Sequence, residues 1–146
     1  IDPALVTTLL AAGVTPVLGT VAPRVGAPAG EPFFNINADH AAGPLCRALA
    51  CEALLFLTDV PGVLDGDGRP MPLLTGADIE RLVANGTASG GMLPKLEAAQ
   101  RAACENPRAI VKIAPANAAD CVRGGLRDGV GTRFFARDAQ QEMQRG

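Results

Sequence analysis

The chain has 146 residues, 48% of them hydrophobic and 19% charged, with a formal net charge of −2, which is about the content of one domain. A domain of this size buries roughly 70% of its unfolded surface, and the composition excludes a disordered tail, a basic nucleic-acid arm and a collagen-like repeat. No apolar run approaches the ~20 residues of a membrane helix and no secretory signal is visible, so the expected setting is cytoplasmic, with neither membrane nor nucleic acid as partner.

Taken in chain order, Asp2-Pro3 reads as an N-cap followed by proline at the first helical position, and Gly13 closes that helix. Residues 14–21 read as a short buried strand. Residues 22–34, with three Pro and two Gly, must be a loop or ribbon. A helix is expected from about Asp39 to Ala50, then a buried strand at Ala53-Leu54-Leu55-Phe56-Leu57, apolar on both faces as a covered parallel sheet requires. Asp65-Gly66-Asp67-Gly68 resembles the start of a calcium loop, but Gly76 stands where its twelfth-position acid is due, so it reads as a turn. Thr75 caps the next helix with Asp78 at the capping-box position, and Gly86 ends it. A glycine-rich link, 86–91, leads into a helix from about Pro94 to Glu105. A strand over 109–114, a short helix over 117–123 and a last strand over 130–135 complete the pattern, with a polar tail from about 136. The alternation predicts an α/β fold, a mainly parallel sheet with helices on both faces, over residues 1–146 as a single domain.

Nucleophile chemistry has little material, since Ser89 is the only serine and His40 the only histidine. With no Trp or Tyr and 5 Phe, stacking on bases is not the expected mode of recognition. Cys46, Cys51, Cys104 and Cys121 form no C-x-x-C pair, and one histidine completes no zinc set, so free thiols and no protein-held metal are expected. The chain begins with Ile1 rather than Met, which points to processing, truncation or a partial chain.

Ligands of open parallel sheets sit beyond the carboxyl ends of the strands, and three polar clusters fall at such places. They are Asn35-Ile36-Asn37-Ala38-Asp39 at a helix mouth, Thr58-Asp59-Val60-Pro61-Gly62-Val63-Leu64 after the apolar strand, and Thr87-Ala88-Ser89-Gly90-Gly91 running through Met92-Leu93-Pro94 to Lys95. Each has a plain structural reading: Asn37 or Asp39 as a helix cap, Asp59 to Gly62 as a turn, Lys95 as a solvated helix residue. A lysine in a first helical turn opposes the macrodipole unless an anion shares that end. Together the clusters point to phosphate chemistry, although neither a P-loop nor a dinucleotide fingerprint is present.

These same residues carry a likeness. Asn35 to Asp39, Leu57 to Leu64, Ser89 to Lys95 and Gly129-Val130-Gly131-Thr132, in that order and spacing, resemble the carboxyl-terminal half of the acetylglutamate kinases, within the amino-acid kinase family. The resemblance implies a three-layer αβα sandwich and transfer of the ATP γ-phosphoryl group to the side-chain carboxylate of N-acetyl-L-glutamate, a step of arginine biosynthesis. It implies that Lys95 and Asp39 are catalytic, the lysine stabilising the transition state and the aspartate organising it. Asn35 and Asn37 would bind the N-acylated amino acid. Thr58, Asp59, Val60, Pro61, Gly62, Val63 and Leu64, with Thr87, Ala88, Ser89, Gly90 and Gly91, would bind ATP, and Mg²⁺ would arrive with the nucleotide. The family's amino-terminal half, with a second lysine and most of the acceptor pocket, lies outside these residues; a chain without it is expected to be inactive alone, and a homo-oligomer is implied. Pro44 falls where the family's helix continues. Val122 and Gly125 stand where arginine-inhibited members carry acidic and hydroxyl residues, which weighs against arginine feedback. Two other readings stay open: a kinase of this fold with another carboxylate or phosphate acceptor, and a non-catalytic ligand-binding module.

Overall fold

A computed structural model describes residues 1–117 and 120–136. Its sheet has four strands in the order β3-β5-β6-β4, formed by Ala53–Thr58 (β3), Leu73–Leu74 (β4), Ile110–Pro115 (β5) and Thr132–Phe134 (β6). β3 pairs with β5 and β4 with β6 in parallel, whereas β5 and β6 are antiparallel. The mainly parallel sheet expected from sequence is present, with one reversed junction.

Register assigns the faces. Leu54 and Phe56 lie beside Val111 and Ile113, and Leu55 and Leu57 beside Lys112 and Ala114; alternate residues point to opposite sides of a sheet. The first set joins the core with Leu96, Ala99, Ala102 and Ala103 of α4 (Met92–Glu105). Helix α2 (Ala38–Ala48) lies against α4 on that side. The other face is covered by the short α5 (Cys121–Gly125), where a Cβ on Gly125 would press on Ala114 and Leu55. Helices thus flank the sheet on both sides. Among the described residues no helix is long and apolar enough to cross a membrane.

Helix boundaries follow local chemistry. Helix α1 (Ala4–Ala11) has Pro3 rather than Asp2 at its N-cap position, and the Asp2 carboxylate, one residue further out, accepts from the Ala4 N–H at 2.9 Å. In α3 (Gly76–Ala84) the capping box of Thr75 and Asp78 closes in both directions. Asp65 Oδ1 accepts from the N–H groups of Asp67 and Arg69, so the acidic glycine run is a turn. Helix α2 passes through Pro44 without a break.

Several sequence expectations are corrected. Residues 14–21 form no buried strand: only Val21–Ala22 (β1) pairs, antiparallel with Phe34–Asn35 (β2), and Val14, Val17, Leu18 and Val21 are exposed. Apolar content allowed a strand there, but no strand of the main sheet lies beside it to complete a ladder. β4 escaped prediction because two residues carry no period. α4 starts at Met92 rather than Pro94, and β6 is shorter than 130–135. The helix expected over 117–123 is α5, starting at Cys121; residues 118 and 119 and the tail beyond 136 lie outside the described residues.

Candidate active site

Two helices build the site. α2 turns into β3, and α4 into β5, through short connections, so each helix begins at the carboxyl end of the strand that follows it. They lie side by side in the same direction: Asp39 meets Lys95 at one end, Gly43 meets Ala102 midway, and Arg47 comes within 3.8 Å of Glu105 at the other. A Cβ on Gly43 would stand 3.2 Å from the Ala102 Cβ, so glycine there permits the close approach. Both amino-terminal ends, each carrying about half a positive charge, therefore open at one edge of the sheet.

At that edge Lys95 Nζ donates to Asp39 Oδ1 at 2.6 Å, the two side chains 18% and 23% exposed. A charge-assisted bond of this kind, partly shielded from water, contributes about 1.5–3 kcal/mol. The ammonium also sits 5.7 Å from the centre of the Phe56 ring, within cation–π range. Asp39 is in the first turn of α2, where the dipole favours a carboxylate, and Lys95 is in the first turn of α4, where it opposes a cation. Asp39 offsets that opposition. Among the described residues no side chain caps α4 and its own first turn holds no acidic residue, so the one carboxylate at its opening is Asp39, reaching across from α2.

The other sequence candidates divide. Asn37 caps α2, its Oδ1 accepting from the Asp39 N–H at 2.9 Å and, more weakly, from His40; the structural reading of this residue accounts for its carbonyl and fixes the backbone of Asp39. Asn35 lies on the exposed ribbon strand β2. The Thr58 hydroxyl donates to the Asp59 carboxylate at 3.2 Å, leaving both at the mouth of β3. Val63 and Ala88 are buried, their N–H groups bonded to Thr132 Oγ1 and the Leu82 carbonyl, so these two support the loops from within. The turn that follows the first proposed nucleotide segment comes close to the second: a Cβ on Gly66 would lie 3.7 Å from Thr87 Oγ1. Gly90 and Gly91 have open space around them.

Sequence reasoning passed over the residue that holds this assembly. Thr132 is fully buried; its hydroxyl donates to the Met71 carbonyl at 2.6 Å and accepts from the Val63 N–H at 2.8 Å. It ties the loop after β3, the approach to β4, and β6 together. Gly131 beside it has φ +70°, and a Cβ there would collide with the Ile113 carbonyl. Lys112, buried on the α5 side, donates to the Arg127 carbonyl at 2.8 Å and steadies the same connection; burial pushes its amine below the usual lysine range, with Asp128 working against that and Arg133 with it. The motif 129–132 was visible as a likeness, but only its burial shows the task.

A profile described as the amino acid kinase family matches residues 1–112. The chain belongs to this family. It is 47% identical over 103 residues to acetylglutamate kinase of Bartonella tribocorum, covering 70% of this chain and 33% of that protein. The acetylglutamate kinase of Acidiphilium cryptum is 48% identical over 97 residues, covering 66% of this chain and 31% of its own. The chain thus spans about a third of the length of the curated relatives it matches. Among solved structures, N-acetylglutamate synthase of Neisseria gonorrhoeae superposes with TM-score 0.75 at 23% identity, over 92% of this chain and 31% of that one. Carbamate kinase of Giardia lamblia gives 0.53 at 22%, over 74% and 36%. At those identities the fold is shared, and this amino-acid kinase chain has it.

Proposed function

We propose that this chain is the nucleotide-binding half of an acetylglutamate kinase, acting as one unit over residues 1–146 and completed by further polypeptide. The reaction moves the γ-phosphoryl group of ATP onto the side-chain carboxylate of N-acetyl-L-glutamate. The observation that carries it is the Asp39–Lys95 pair, 2.6 Å apart at the shared opening of two parallel helices.

Phosphoryl transfer asks for positioning and for positive charge where negative charge gathers. Lys95 Nζ, held by Asp39 through one of its hydrogens, keeps two donors for equatorial oxygens of the moving group. The glycine link before α4 leaves open space for phosphate oxygens beside a helix start that no side chain caps, where the Met92 and Leu93 N–H groups make only long, 3.3 Å bonds to the Ser89 and Gly90 carbonyls. Thr58 to Leu64 and Thr87 to Gly91 would hold the nucleotide. Mg²⁺ would arrive with ATP and supply positive charge to its phosphates. Asn35 and Asn37 would recognise the acceptor within this chain, Asn37 through its amide nitrogen because its carbonyl caps α2, and the remaining acceptor contacts and much of any homo-oligomer interface would belong to the rest of the enzyme.

The test is calorimetric titration of the purified chain with Mg²⁺ and a non-hydrolysable ATP analogue. Saturable binding, weakened at least tenfold by Lys95→Ala, is expected. Equal binding by the variant, or none by a chain shown by circular dichroism to be folded, would overturn the assignment. In the complete enzyme, Lys95→Ala should lower kcat for hydroxylamine-trapped acyl phosphate by roughly 10²–10³, the loss typical of one charge-stabilising donor.

A further inference from the structure

We propose that Cys46 and Cys51 form a dithiol pair that a low-molecular-weight disulfide such as oxidised glutathione converts to an intramolecular disulfide, clamping the carboxyl end of α2 to the start of β3. The geometry comes from how α2 ends. The Cys51 N–H donates to the Cys46 carbonyl at 3.0 Å and the Ala50 N–H to the Arg47 carbonyl at 3.2 Å. Ala50 carries φ +49° between them. This is the double-bonded helix termination in which the side chains three residues before the end and two beyond it are brought into contact. Here those two positions are both cysteine. All four cysteines of the chain are free thiols.

Their surroundings order the two steps. Cys46 is 3% exposed, and burial first, with Cys51 beside it, pushes its thiol up to about 11. Cys51 is half-buried and lines an open recess of about 430 Å³ with Glu52, Asn106 and Arg108, at the amino-terminal ends of β3 and β5. That is the end of the sheet opposite the nucleotide opening. Cys51 is therefore the entry thiol. Its thiolate attacks one sulfur of the small disulfide, forming a mixed disulfide and releasing one small thiol, which takes up the proton Cys51 lost. The Cys46 thiolate then attacks Cys51 Sγ and releases the second small thiol, protonated in turn. Two electrons leave the protein pair and reduce the small disulfide to two thiols.

The native chain is incubated with oxidised glutathione, quenched by alkylation and mapped by non-reducing peptide mass spectrometry. Expected are the loss of the Cys46 and Cys51 thiols, a Cys46–Cys51 linked peptide two hydrogens lighter than its reduced parts, and any glutathione adduct confined to other cysteines such as the exposed Cys104. Cys46→Ser should stop at a lasting glutathione adduct on Cys51, and Cys51→Ser should leave Cys46 reduced. A persistent adduct on Cys51 of the unsubstituted chain, a linkage of Cys46 or Cys51 to another cysteine, or retention of the Cys46 and Cys51 thiols would each overturn the proposal. The mapping on the unsubstituted chain decides even if a variant fails to fold. The nucleotide titration does not enter this readout, so the two proposals stand or fall separately.

Discussion

Thr132 shows how one hydroxyl can organise a site it does not enter. Replacing it by valine keeps the volume but leaves the Val63 N–H and the Met71 carbonyl buried without partners, each costing about 1–3 kcal/mol. Thr132→Val should therefore lose roughly 2–6 kcal/mol in urea unfolding, whereas Thr132→Ser, which restores both bonds, should recover most of it. Asp39 and Lys95 were legible from sequence as candidates at helix openings, because charge at a helix end has a sign preference. Their contact was not, since 56 residues separate them and only the close approach at Gly43 brings the helices together. Asn37 was legible as a cap or a ligand contact, and the structure shows its carbonyl capping α2 with the amide nitrogen left over. Thr132 was hidden because a threonine's value as a double partner depends on which backbone groups its strand happens to reach.

Helices read better from sequence than strands, for a physical reason. The start of α3 is written in two residues three apart, Thr75 and Asp78, whose bonds are local. Burial pushes the Asp78 carboxyl up, but bonds from the Thr75 backbone and hydroxyl and the Arg81 guanidinium outweigh it, so the net shift is downward. A carboxyl with a depressed folded pKa adds stability above its unfolded pKa and loses it as pH falls through the folded value. Asp78→Asn should accordingly be less stable at neutral pH and should lose less on acidification below about pH 4 than the parent, measured by chemical unfolding across pH. Residues 14–21 illustrate the opposite case: apolar content suggested a strand, yet a strand exists only by pairing. Pro44 is the costliest local choice. It removes a bond to the His40 carbonyl within an uninterrupted helix, and Pro44→Ala should raise stability by roughly 1–3 kcal/mol in thermal or urea unfolding.

Across the molecule, stability is uneven. Val111, Ile113, Leu74 and Leu96 are fully buried about the sheet and α4, while α1 contains no buried residue and Leu5, Val17, Val25 and Phe33 stand exposed. Amide exchange should reflect this: α1 loses protection by local opening, and β5 exchanges last, near the global unfolding free energy. Equal protection of α1 and β5 would contradict it. The four clusters in order made the family readable before any coordinates, since each depends on backbone chemistry at a strand or helix end. The reversed pairing of β5 with β6 was not, because the path between them crosses α5 and a turn whose glycines specify bends and not direction.

The side-by-side, same-direction packing of α2 and α4 has one more consequence. Peptide dipoles carry no dissociable proton, so the positive field they project from that edge is the same in mildly acid and mildly alkaline solution. Whatever acidity profile this site displays must be written by its ligand and its few side chains, against a background that the backbone holds constant.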